Sequence, residues 1–200
     1  MPAPTLPTPS MAIASVRAGA RIVGVSTVDG LLADPDGLDV DELFSLRERF
    51  GDGLVSHGAA PVRPREELFD LDCDVLVPGA RPDSITRDVA ARLRCAVVAP
   101  GANVPYGPGA VEELHRRGIV AVPDFIANAG GIHLYTRVAE DDTPLDALAK
   151  IEALIQEGVA RTLGAADEHG VTPVAAALRA GREFLAESGA DDALLDELFA

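Results

Sequence analysis

Short apolar runs alternate with amphipathic helical segments along most of the chain. Four runs are predicted to be buried strands because they are rich in branched apolar residues and end at small polar residues or Pro: ARIVGVS (20–26), CDVLVP (73–78), CAVVAP (95–100) and GIVAVP (118–123). Helices are predicted over 84–94 and 108–118, between successive strands. Strands that alternate with helices are typical of crossover units, so the pattern predicts an α/β fold with a parallel sheet.

The remaining segments are predicted from caps, spacing and composition. Asp39 is expected to cap a helix that ends near Phe50, and residues 51–66, rich in Gly, Pro and Arg, are expected to form a loop. Beyond Asn128, apolar residues three to four apart predict a helical C-terminal tail. We therefore expect a disordered Pro-rich arm over 1–11, one domain over 12–188 and an acidic terminal segment over 189–200.

Composition narrows the classes of partner. Hydrophobic residues make up 48% of the chain, enough for a core, and the formal net charge of -15 argues against binding nucleic acid or an anionic membrane surface. No apolar stretch approaches the roughly 20 residues of a membrane span. The four His residues lack partners at metal-ligand spacing, so no metal site is expected. These features predict a soluble, cytoplasmic protein without a membrane or nucleic-acid partner.

Polar or Gly-rich segments follow the end of every predicted strand: STVDG, PGARPDS, PGANVPYG and PDFIANAGG. Ligands of open parallel sheets bind at the carboxyl ends of the strands. The arrangement therefore predicts a binding crevice lined by Thr27, Asp29, Ala80, Asp83, Asn103 and Asn128.

The same segments, taken in order, resemble a known family. GARIVGVSTVDG, DCDVLVPGARPDSIT and VVAPGANVPYGPGAVEELHRRGIVAVPDFIANAGGI are similar to the C-terminal dinucleotide-binding domain of the glutamate/leucine/phenylalanine/valine dehydrogenases. The resemblance implies a truncated Rossmann-type parallel sheet with flanking helices. It also implies the reversible oxidative deamination of an L-amino acid to a 2-oxo acid, with NAD or NADP as cofactor.

The resemblance assigns cofactor binding to particular positions. Asn103 and Asn128 match amides beside the cofactor, the backbone at Ala80 is expected on the adenosine side, and Ser26 and Thr27 end the strand beside the adenosine ribose. Thr27 stands where the family has an acidic residue, so Asp29 is an alternative partner for the ribose. Asn128 could instead be a helix cap followed by a glycine turn. In the cofactor-binding interpretation, Gly130 and Gly131 let the backbone approach the cofactor without collision.

Two family features have no counterpart in this sequence. No G-x-G-x-x-G/A turn is present, since GDGLVS (51–56) lacks the last glycine and follows a predicted helix. The family's catalytic Lys and Asp belong to an N-terminal domain, so no catalytic residue is assigned here. We expect the cofactor-binding portion of a dehydrogenase, inactive alone, partnered by a separate N-terminal-domain chain or by further copies of itself. The alternatives are a non-catalytic nucleotide-binding or small-molecule-binding relic, and a poorly folded truncation.

Overall fold

The computed structural model describes residues 16, 18–137, 139 and 142–189. The predicted arm over 1–11, and the acidic terminal segment except Gly189, lie outside the described residues. The chain divides into two compact units, one formed by residues up to Asp74 together with Arg92–Arg94, the other by Val75–Ala91 and residues from Cys95 onward. Residues of the predicted domain 12–188 fall in both units.

Among its described residues, the first unit contains a hairpin, the helix α1 (Val40–Phe50) and two 3-10 helices. Strands β1 (Gly24–Thr27) and β2 (Gly30–Ala33) pair antiparallel. The predicted cap is confirmed, because Asp39 Oδ1 accepts the backbone N–H groups of Asp41 (2.9 Å) and Glu42 (3.0 Å). The core of this unit consists of Leu32, Leu43, Leu46, Leu54 and Val55.

The first predicted strand differs from expectation. Residues 20–26 were expected to form a buried strand of the parallel sheet, but β1 is half-buried and pairs with β2 in a separate two-stranded sheet. The reason is a two-residue turn, Val28–Asp29, that returns the chain at once. Gly30 follows the turn with φ of 148°, and a Cβ there would lie 3.0 Å from the carbonyl oxygen of Arg63. Only glycine fits this crowded backbone.

The segment predicted as a loop over 51–66 is also partly ordered. A 3-10 helix spans Gly51–Ser56 and a second spans Arg65–Asp70. The first is held by burial, since Leu54 and Val55 belong to the core of the unit. Its two glycines lower the local helix propensity, but the burial of Leu54 and Val55 outweighs that effect.

The second unit contains the predicted parallel sheet. Strands β3 (Val75–Leu76), β4 (Val97–Val98) and β5 (Val120–Ala121) run parallel in the order β3-β4-β5. Helix α2 (Arg87–Arg92) connects the first two strands and α3 (Ala110–Arg116) connects the last two. This alternation confirms the predicted α/β class with a Rossmann-like parallel sheet.

Four helices follow β5 in the described part of the second unit, and the three that lie beyond Asn128 confirm the predicted helical tail. They are α4 (Asp124–Ala127), α5 (Gly130–Arg137), α6 (Pro144–His169) and α7 (Pro173–Glu187), and α6 contacts the other three. Each of the two long helices has a Thr cap followed by Pro, a favoured start because Pro has no N–H to leave unpaired. In the part of the chain that the structure describes, no helix combines the length and hydrophobicity of a transmembrane span.

Candidate functional site

The loops that follow β3, β4 and β5 share one edge of the parallel sheet. Parallel strands place their carboxyl ends together, and backbone bonds join the first two loops directly. The carbonyl oxygen of Pro78 accepts the N–H groups of Gly101 (3.0 Å) and Ala102 (3.1 Å). Ala80, one of the predicted cofactor-binding residues, lies exposed two residues beyond Pro78. These bonds join the loops after β3 and β4 into a rim above the strand ends.

Asn103 and Asn128 meet on this rim, although 25 residues separate them in sequence. The Nδ2 group of Asn128 donates to Oδ1 of Asn103 at 2.8 Å. Asn103 is exposed and Asn128 is half-buried at the C-terminal end of α4. Because one donor and one acceptor are used within the pair, Asn103 Nδ2 and Asn128 Oδ1 remain for a ligand.

The loop that carries Asn103 has an unusual backbone. Val104 has φ of 51°, a left-handed conformation that a β-branched residue adopts rarely. Its N–H donates to Oδ2 of Asp124 at 2.8 Å, and its carbonyl oxygen accepts the N–H of Asp83 at 2.8 Å. Asp83 also has φ of 51°. Hydrogen bonds from two other segments therefore hold this loop.

The hydroxyl of Tyr106 contacts the ends of two strands of the parallel sheet. Its hydroxyl lies 2.8 Å from the carbonyl oxygen of Val122 and 3.2 Å from that of Val98, at the ends of β5 and β4. Burial, reinforced by the negative charge of Asp124, raises the pKa of Tyr106 far above its ordinary value. The hydroxyl therefore stays protonated and acts as a hydrogen-bond donor that joins two strand ends.

Gly130 and Gly131 are the first two residues of α5 and face different surroundings. A Cβ added at Gly130 would lie 3.5 Å from Cγ2 of Ile151 and 3.9 Å from Cδ1 of Ile155, both on α6. A Cβ added at Gly131 would meet no atom within 4 Å. Gly130 thus faces a neighbouring helix, whereas Gly131 leaves open space three residues from Asn128.

The remaining predicted site residues belong to the first unit. Ser26 and Thr27 end β1, where Ser26 pairs with Leu31 and Thr27 with Gly30. Thr27 Oγ1 accepts the backbone N–H of Asp29 at 3.2 Å, so the hydroxyl already stabilises the turn. The alternative residue, Asp29, is exposed beside it. The cofactor-binding roles of Ser26, Thr27, Ala80, Asn103 and Asn128 stay predictions.

The strand-and-loop pattern of the sequence indicates no role for three residues that are important to the site. Val104, Tyr106 and Asp124 carry the contacts that fix the loop and the strand ends. Asp124 and Asn128 are one helical turn apart and follow Pro123, and this spacing is the sequence signal that indicates a role for Asp124. The described residues contain no group of three or more His, Cys, Asp or Glu side chains placed to hold a metal ion.

Comparison with known proteins identifies the family. The sequence pattern of the glutamate/leucine/phenylalanine/valine dehydrogenases matches residues 10–191. The chain belongs to this family. An NAD-specific glutamate dehydrogenase of Staphylococcus aureus is 45% identical over 114 residues, which is 57% of this chain and 27% of that protein. Glutamate dehydrogenase A2 of Halobacterium salinarum is 42% identical, again over 57% of this chain and 27% of its own length.

Solved structures of the family support the fold. The hetero-hexameric glutamate dehydrogenase of Thermus thermophilus, in a Leu-bound form, matches with a TM-score of 0.70 and 26% identity over 84% of this chain and 41% of that one. Glutamate dehydrogenase 2 of Plasmodium falciparum matches with a TM-score of 0.72 and 18% identity over 91% of this chain and 45% of that one. The chain spans less than half the length of the relatives and solved structures named above.

Proposed function

We propose that this chain is the cofactor-binding portion of an amino-acid dehydrogenase that uses NAD. The observation that carries the proposal is the Asn103–Asn128 pair at the carboxyl edge of the parallel sheet. This edge is where open α/β sheets bind nucleotides. The reaction proposed for the complete enzyme is the reversible oxidative deamination of an L-amino acid to a 2-oxo acid.

The amide pair fits the polar groups of a nicotinamide nucleotide. With Asn128 donating to Asn103, the pair presents Asn103 Nδ2 as donor and Asn128 Oδ1 as acceptor. A primary carboxamide needs that combination, since its oxygen accepts and its nitrogen donates, and ribose hydroxyls can use either group. When bound, the cofactor accepts or returns a hydride. The chain's own residues orient it, and Gly131 leaves room for it.

We propose NAD rather than NADP because of the names of two relatives and the negative charge of Asp29. The relatives from Staphylococcus aureus and Bacillus subtilis are named NAD-specific glutamate dehydrogenases. In this chain Asp29 is exposed and follows Thr27, the end of the strand assigned to the adenosine ribose, by two residues. A carboxylate accepts hydrogen bonds from ribose hydroxyls and repels a 2′-phosphate, so we expect weaker binding of NADP.

We further propose that the chain does not turn over an amino acid by itself. Its only lysine, Lys150, forms an ion pair with Asp142 at 2.6 Å. The catalytic Lys that the resemblance implies therefore has no unpaired candidate here. We propose as partners a second chain that carries the substrate-binding part, or further copies of this chain in an oligomer. Binding without turnover by the isolated chain would also be expected of the alternative, a non-catalytic nucleotide-binding relic.

Two neighbouring glycines provide the test. Gly131→Ala places a methyl group in the space left for the cofactor, so we expect NADH binding to weaken at least tenfold, a loss of about 1.4 kcal/mol. Because alanine has less conformational freedom than glycine in the unfolded chain and Gly131 has no positive φ, the same variant should gain about 0.5 kcal/mol in free energy of unfolding. Binding is measured by isothermal titration calorimetry with NADH, and stability by urea denaturation.

Gly130→Ala is the matched control, because its methyl group would make an ordinary contact with Ile151 on α6. It should gain similar stability and bind NADH as the unchanged chain does. Equal NADH affinity in both variants would contradict the placement of the cofactor above Gly131. No saturable NADH binding by the unchanged chain at millimolar concentration would overturn the proposed function.

A further inference from the structure

Residues at the two ends of the short helix α4 form hydrogen bonds with two successive residues of the loop after β4, Asn103 and Val104. At one end of the helix, Oδ2 of Asp124 accepts the N–H of Val104 at 2.8 Å. At the other end, Nδ2 of Asn128 donates to Oδ1 of Asn103 at 2.8 Å. The two anchors are joined by one helical hydrogen bond, from the N–H of Asn128 to the carbonyl oxygen of Asp124 at 2.9 Å. Hydrogen bonds therefore connect Asp124 and the amide pair in one network.

The loop needs an external restraint because its own conformation is unfavourable. The left-handed region is unfavourable for a non-glycine residue, and Val104 stays there although the residue is 58% exposed. Packing of that exposed side chain cannot supply the compensation. The bonds to Asp124 and to the N–H of Asp83 can, and a bond to a carboxylate is the stronger kind.

From these contacts we propose that Asp124 is a positioning residue for the cofactor site. Its carboxylate holds Val104 in the left-handed conformation, and this fixes the direction in which Asn103 presents its amide. In this role Asp124 acts through the loop and does not touch the cofactor. The proposal rests on the proposed function, since it takes Asn103 and Asn128 as the groups that bind NAD.

The hydrogen bond and the charge of Asp124 can be separated by two substitutions. Asp124→Ala removes both, so the loop relaxes and we expect the dissociation constant for NADH to rise about tenfold, the size expected for one lost charge-assisted bond. Asp124→Asn removes the charge and keeps an acceptor oxygen for Val104, so NADH affinity should stay within about threefold of the unchanged chain. Calorimetric titration of each full-length variant measures both values.

A second substitution tests the positioning step itself. Glycine adopts positive φ without strain, so Val104→Gly in the Asp124→Ala background should recover most of the lost affinity. A direct effect of the carboxylate on the cofactor would not be relieved by that change. Glu112→Ala is the matched control, since it removes an exposed first-turn carboxylate from α3, and it should bind NADH normally.

NMR of the cofactor-free chain separates this proposal from the proposed function. The side-chain amide signal of Asn128 reports its bond to Asn103. In Asp124→Ala the signal should shift and exchange faster with solvent, and in Asp124→Asn and Glu112→Ala it should not. An unchanged Asn128 signal in Asp124→Ala, or no recovery of affinity on adding Val104→Gly, would overturn the positioning role. Absence of NADH binding with the amide shift present would overturn only the proposed function.

Discussion

The strain at Val104 has a measurable consequence for stability. Val104→Gly removes the cost of a β-branched residue at φ of 51°, and the greater freedom of glycine in the unfolded chain offsets part of that gain. We expect a net increase of about 1 kcal/mol in the free energy of unfolding. Urea denaturation of the cofactor-free chain provides the measurement.

Val28 offers a comparison for that substitution. It is an exposed valine in the turn between β1 and β2, and its φ is not positive. Val28→Gly should therefore lower the free energy of unfolding or leave it unchanged. A Val104→Gly chain that is less stable than the unchanged one would show that the left-handed conformation carries little strain.

Individual residues differ in how far the sequence could place them. Asn103 and Asn128 could be predicted as neighbours because each follows a strand of one parallel sheet, and the structure joins them by a hydrogen bond. The conformation of Val104 could not be predicted. A valine normally indicates extended backbone, and its positive φ depends on a bond to Asp124, 20 residues away.

Helix α1 illustrates an element fixed by local chemistry. Its cap, Asp39, accepts two backbone N–H groups that would otherwise be unpaired, those of Asp41 and Glu42. Asp39→Ala should lower the free energy of unfolding by about 1 kcal/mol. Thermal denaturation followed by circular dichroism checks the loss.

Asp36→Ala is the control for that prediction. Asp36 is an exposed aspartate three residues before Asp39, with the same charge and no capping bond from its side chain. Its replacement should change stability by less than about 0.5 kcal/mol, as is usual on the surface. Equal losses in the two variants would mean that the cap contributes no more than a charge.

Elements could be predicted where local signals and burial agree. The alternation of apolar runs and amphipathic segments was sufficient for β3 to β5 and for the helical tail. The hairpin of β1 and β2 was missed because Val28–Asp29 is not a typical two-residue turn sequence, and the bonds that accompany it, such as Leu31 N–H to the carbonyl oxygen of Arg63 (2.9 Å), join distant segments. The hairpin therefore depends on contacts between segments that are distant in the sequence.

At the scale of the whole molecule, the family and the fold class were evident from sequence because several motifs occur in one order. The division into two compact units was not evident, since no Gly-rich or Pro-rich linker marks it near Asp74. Such a boundary depends on the density of contacts between distant segments. Composition does not encode that density.

The tyrosine content of the chain turns Tyr106 into a probe of the sheet. The chain contains no Trp and two Tyr, at 106 and 135, so in Tyr135→Phe any phenolate absorbance on alkaline titration comes from Tyr106. The raised pKa keeps Tyr106 protonated in the folded chain, whereas the unfolded chain ionises at the ordinary tyrosine pKa. Stability should therefore fall as pH rises above that ordinary value.

We expect the phenolate band of Tyr135→Phe to grow together with the loss of the far-ultraviolet circular dichroism signal. A band that develops while the secondary structure is intact would show that solvent reaches the hydroxyl between the ends of β4 and β5. With a single chromophore there, ultraviolet absorption becomes a direct optical record of when those two strand ends separate.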